Sequence, residues 1–70
     1  MSTHLRTLRK KQGLSQTEVE TKTGIAQALL SKYENGLRLP PAETLIKLAD
    51  FYDVSVDYIL MRTENPDVNR

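Results

Sequence analysis

Cysteine is absent from this sequence, so no disulfide staples the fold and no thiolate can hold a metal. Histidine occurs once, as His4 near a terminus. No nucleophile motif or metal-ligand cluster accompanies it, so serine, histidine and aspartate do not add up to a catalytic set. An enzyme is therefore not expected, and neither is a cofactor. No apolar run approaches the roughly 18 residues of a membrane span. The first apolar residues, Leu5 and Leu8, stand among charges, so no secretion signal is read and the cytoplasm is the expected compartment. Strand signals are also scarce. β-branched residues are scattered and no stretch alternates for long, and there is no internal repeat.

What is present is the composition of one small globular domain. Hydrophobic residues make up 39% and charged residues 27% of 70 residues, which suits a folded chain rather than a disordered one. A chain this short folds with a small stability margin. Its net charge of +1 is unevenly spread. Residues 1–38 carry seven Lys/Arg against three Glu, a balance of +4, and residues 39–70 carry three against six acids, a balance of −3. A basic front and an acidic back suit a polyanion met by one face; solvated helix faces with an accidental skew are the plainer alternative.

Helix signals recur at short intervals. Leu5, Leu8 and Arg9 share one face of a first helix over about Ser2 to Gln12, which Gly13 ends. Ser15-Gln16-Thr17-Glu18 is a capping box that starts a second helix, ended by Gly24. A third runs from about Ala26 to Asn35, with Leu30 and Tyr33 on one stripe and Asn35-Gly36 closing it. Pro40-Pro41 precedes a fourth, about Ala42 to Tyr52, whose inward stripe is Leu45, Leu48 and Ala49. Ser55 caps a fifth, with Val54 and Ile59 as a hydrophobic staple. The expected core is Leu5, Leu8, Leu14, Val19, Ile25, Leu30, Tyr33, Leu45, Leu48, Ala49, Val54, Ile59 and Leu60. Residues 63–70 lack apolar periodicity and read as a flexible C-terminal tail. The expected architecture is all-α: five helices over residues 1–62.

The second and third helices, over about residues 16–35, are joined by a turn of about three or four residues at Gly24. The third exposes Gln27, Ala28, Ser31 and Lys32. That spacing is a helix-turn-helix, in which the second helix enters the major groove of DNA. Beyond this unit, the strings Leu5-Arg6-Thr7-Leu8-Arg9, Gly13-Leu14-Ser15-Gln16, Gly24-Ile25, Ser31-Lys32-Tyr33-Glu34-Asn35-Gly36, Pro40, Glu43-Thr44-Leu45, Lys47-Leu48-Ala49-Asp50 and Val54-Ser55-Val56-Asp57-Tyr58-Ile59-Leu60 stand in a specific order and spacing. In these the chain resembles the Xre, or lambda-repressor-like (Cro/C1-type), helix-turn-helix family of bacterial and phage regulators, over residues 3 to 60.

The resemblance implies a DNA-contact residue at Gln16, base-edge readers at Gln27, Ala28 and Lys32, and phosphate contacts near Ser15, Asn35 and Arg38. Elementary chemistry agrees. Helix N-termini favour phosphate. Glutamine pairs with adenine N6/N7, lysine donates to guanine O6/N7, and the alanine methyl suits a thymine methyl. Leu29 is read either as an apolar contact or as part of the helix packing. The resemblance also implies that Arg9 and Glu34 form a structural ion pair rather than reading bases. Departures are expected to matter. Glu20 and Thr23 replace the family's usual alanine and leucine and should weaken packing between helices 2 and 3, with Glu20 reaching out to Lys22 or Lys32. Pro41 removes a serine cap. Met61, where glycine often ends helix 5, lets that helix run into Arg62.

One such domain contacts half a site, and the family binds palindromic sites as two-fold dimers. With no second oligomerisation domain in 70 residues, the expected interface lies on helices 4 and 5, at Tyr52, Val56, Tyr58 and Met61. The expected function is a dimeric, sequence-specific binder of double-stranded DNA, a repressor by first reading. It would be bacterial or phage-encoded, cytoplasmic, and nucleoid-associated when bound, with a protein antagonist as a further partner. The alternatives are an antitoxin that binds DNA and a toxin, and a helix-turn-helix reused as a protein-interaction module.

Overall fold

The computed structural model describes residues 3–61, which form α1 (Leu5–Lys11), α2 (Gln16–Thr23), α3 (Gln27–Glu34), α4 (Ala42–Tyr52) and α5 (Val56–Ile59), with no strand among them. The expected tail at 63–70, Arg62 and the expected helix start at Ser2 lie outside the described residues. The architecture is all-α.

Local chemistry sets the boundaries. Ser15 Oγ accepts from the Glu18 amide at 3.1 Å, and Glu18 Oε1 accepts from the Ser15 amide at 3.0 Å. These close the capping box and start α2. Gly24 ends it at φ 77°, a left-handed conformation that glycine adopts without steric cost. Pro41 occupies the N-cap of α4 and gives it no side-chain cap. Ser55 Oγ accepts from the Tyr58 amide at 3.1 Å and opens α5.

That last helix is shorter than expected. It stops at Ile59, and Met61 turns to φ 60° instead of continuing toward Arg62. The chain makes at Met61 the left-handed turn that glycine would make more easily. Asp53 does the same at the end of α4, with φ 55°; its short polar side chain tolerates that region better than most.

α3 packs on α2 and α1, and α4 packs on α2 and α5. The core between them is Leu5, Leu8, Val19, Ile25, Leu30, Tyr33, Leu45, Leu48, Ala49, Tyr52, Val54 and Ile59. Leu14 and Leu60, expected inside, are only partly buried against it. Tyr52 corrects an expectation. Assigned from sequence to a dimer surface, it is only 5% exposed and belongs to the core. At the end of α4 it sits four residues after Leu48, so it continues the inward stripe.

The N-terminal segment is tied to the far end of the chain. The His4 amide donates to the Ile59 carbonyl at 2.9 Å, and its Nδ1 donates to the Tyr58 carbonyl at 2.6 Å. The two rings lie 4.3 Å apart, centroid to centroid. α5, only four residues long, is thus held by tertiary contacts rather than by its own helical propensity.

Candidate nucleic-acid interface

The turn between α2 and α3 sets the position of α3. Thr23 is buried, yet its hydroxyl is satisfied twice. It donates to the Val19 carbonyl at 2.7 Å and accepts from the Ile25 amide at 3.2 Å. Glu20 reaches neither Lys22 nor Lys32. Its Oε1 accepts from the Gln27 amide at 3.0 Å. The two departures expected to loosen the packing are therefore hydrogen-bonded into the turn. A buried hydroxyl with both donor and acceptor roles filled carries no desolvation penalty of the unsatisfied kind.

Glu34, the last residue of α3, is the hub of a polar network. Arg9 Nε donates to its Oε2 at 2.8 Å and Arg9 Nη2 to its Oε1 at 3.0 Å, a two-pronged pair. Arg9 Nη1 also donates to the Leu14 carbonyl at 2.9 Å. From a second direction Arg6 Nε lies 3.6 Å from Glu34 Oε1. From a third, Gln16 Nε2 donates to Oε1 at 3.2 Å. Gln27 Nε2 then donates to Gln16 Oε1 at 2.6 Å.

A carboxylate accepts and does not donate, so Glu34 turns the Gln16 amide nitrogen toward itself and its oxygen outward. That oxygen in turn fixes the amide of Gln27. Its Oε1 and its second Nε2 hydrogen remain for a ligand, an acceptor beside a donor, the pair that matches adenine N6/N7.

Burial by itself would raise the Glu34 carboxyl. The hydrogen bonds from Arg9 and Gln16, with the charges of Arg9 and Arg6, outweigh it and hold the group below the ordinary carboxylate value. The hydrogen bond to Glu34 raises the Arg9 guanidinium further. Tyr52, packed near the pair, is pushed up to about 12 by burial and by the charge of Glu34.

The remaining candidates fall into two groups. Asn35 is joined to the network: Arg6 Nη2 donates to its Oδ1, and its Nδ2 donates to Ser31 Oγ at 3.3 Å. Ala28, Lys32 and Arg38 are exposed and stand outside the network. Ser15 is exposed and engaged in its capping box. Leu29 is partly buried against the core, so it belongs to helix packing. Of the expected dimer residues on and after α5, Val56 and Tyr58 are partly buried and Met61 is exposed. Arg6 and Glu20 were missed as site residues. Leu37, Leu39 and Ile46, all exposed, were missed as apolar surface. No periodicity marks Arg6, but its spacing three residues before Arg9 places both on one helical face.

A helix-turn-helix family model, HTH_3, matches residues 5–59. The chain belongs to this helix-turn-helix family. It is 46% identical over 63 residues to an uncharacterised HTH-type transcriptional regulator, YobD, of Bacillus subtilis, covering 90% of this chain and 56% of that protein. It is 42% identical to the HTH-type transcriptional regulator ImmR of Bacillus subtilis, over 86% of this chain and 47% of ImmR. To the cryptic phage CTXphi transcriptional repressor RstR of Vibrio cholerae it is 35% identical, over 90% of this chain and 57% of RstR. The chain spans about half the length of these relatives. Two of them carry the name of transcriptional regulator and the third that of transcriptional repressor. No solved structure matches the chain. Among the described residues no helix is long and apolar enough to cross a membrane.

Proposed function

We propose that this helix-turn-helix chain binds double-stranded DNA sequence-specifically and regulates transcription, as a repressor that occupies an operator. α3 lies in the major groove, with Gln27, Ala28 and Lys32 toward base edges. Gln16, Ser15, Asn35 and Arg38 meet the phosphate backbone, and Ser31 lies on the same face. The observation that carries this reading is the hydrogen-bonded series Gln27–Gln16–Glu34. It orients a side-chain amide at the start of α3 before any ligand arrives, and preorganisation of that kind lowers the entropic cost of binding.

Selection of duplexes from a random pool tests the reading. The expected product is a half-site repeated as a palindrome about one helical turn apart. Gln27→Ala and Lys32→Ala should each lose about 1–3 kcal/mol of discrimination at their own base pair. Binding of every operator variant as tightly as by the parent would remove α3 as the reader.

A homodimer supplies the second half-site. Its interface lies at Val56, Tyr58 and Met61, with Tyr52 beneath as core support. Val56→Asp should weaken the dimer and the DNA affinity together. Because Val56 is partly buried, Met61→Asp at an exposed position, where aspartate tolerates a positive φ, serves as the second variant. An unchanged sedimentation profile for Met61→Asp would eliminate this interface.

A further inference from the structure

α3 begins without a cap of its own. Its N-cap residue is Ala26, whose methyl group accepts no hydrogen bond. The Leu29 and Leu30 amides both reach the Ala26 carbonyl at 3.0 Å. The Gln27 amide, which has no partner within its own helix, is met by Glu20 Oε1 at 3.0 Å, from the middle of α2. Gln27 is thus fixed at two points from one neighbouring helix: its backbone by Glu20 and its side chain by Gln16. The first fixes where α3 starts, and the second fixes how the amide is turned.

We propose that Glu20 is a positioning residue for base recognition, its carboxylate serving as the cap that α3 lacks and setting where Gln27 meets a base pair. This rests on the reading that α3 enters the major groove. The choice of a carboxylate carries a second consequence. A negative charge beside a helix N-terminus is favourable in the free protein, but close to DNA phosphates it repels them regardless of sequence. Glu20 therefore trades overall affinity for sequence discrimination. The acceptor oxygen and the charge have separable signatures, because glutamine keeps the first and drops the second.

Duplexes selected by the parent are the probe, with binding of Glu20→Ala and Glu20→Gln measured across every substitution of the selected site and across salt. Glu20 is exposed, so neither change disturbs the core. Glu20→Gln should bind all duplexes more tightly with the parent's base preference, and its salt slope should steepen by about one. Glu20→Ala should lose about fivefold in discrimination at the base pair read by Gln27, the scale of a lost cap, and keep discrimination at the pair read by Lys32. Unchanged discrimination in Glu20→Ala overturns the proposal. So does a Glu20→Gln that loses discrimination as Glu20→Ala does, since charge rather than the acceptor would then be responsible. A parent that selects no duplex would instead overturn the DNA-binding reading beneath it.

Discussion

Replacing Arg9 with alanine is expected to cost about 3–5 kcal/mol of folding stability, as removal of one partner from a buried ion pair generally does. Glu34 has only 3% of its side chain exposed. Without Arg9 it keeps Gln16 at 3.2 Å and Arg6 at 3.6 Å, too little to offset a buried charge. For a domain with a total stability of about 5 kcal/mol, that loss leaves much of the population unfolded at 25 °C. Urea denaturation followed by circular dichroism measures it. Arg9→Met combined with Glu34→Leu should recover a large part of the loss, because no charge is then left unpaired.

The same pair gives the pH dependence its sign. The folded-state value of Glu34 is below its ordinary value of 4.5, so its contribution is present above that pH and lost as pH falls through the folded value. The parent should weaken in acid below about pH 4.5 more steeply than the double variant does. Parallel acid curves would mean that the carboxylate is not held by its neighbours.

The second large effect is Leu48→Ala, expected to cost about 2–5 kcal/mol. Leu48 has no exposed surface and lies on α4, the helix that contacts both α2 and α5. The truncation leaves a void in a close-packed core, which the surrounding side chains close only in part. Ile46, two residues earlier on the same helix and 56% exposed, supplies the contrast. Ile46→Ala should fall within about 0.5 kcal/mol of the parent. Equal losses at the two positions in chemical denaturation would contradict the orientation of α4.

The helices were legible in the sequence because their punctuation is local. Ser15 with Glu18, Gly24, Pro41 and Ser55 each act within a few residues of themselves. Most of the core followed from helical periodicity. The failures have two sources, a periodic signal overridden at a helix end and contacts between elements. Tyr52 was expected at a dimer surface on helices 4 and 5, whereas it is buried in the core. Its spacing of four residues from Leu48 places it on the inward stripe of α4, a local signal that outweighs its position at the helix end. Glu20 was expected to seek a lysine, whereas it is taken up by an amide seven positions later, on the far side of a turn whose geometry no local pattern encodes. Met61 was expected to prolong α5, but the chain turns left-handed there without glycine. At the candidate site, the residue types at positions 16, 27, 32 and 34 were readable. The joining of Gln16, Gln27 and Glu34 into one series was not, because it arises only when α2 and α3 meet.

The series from Glu34 through Gln16 to Gln27 has a direction. An amide reversed end for end looks nearly the same in shape, and only its neighbours tell oxygen from nitrogen. Here an anion at one terminus settles that ambiguity for both glutamines in turn, like a domino row that can fall only one way. Were Glu34 itself an amide, the row could stand in either sense, and the outermost group would offer two interchangeable faces to the outside. A charge buried about two side chains away thus determines which of two near-identical messages the surface displays.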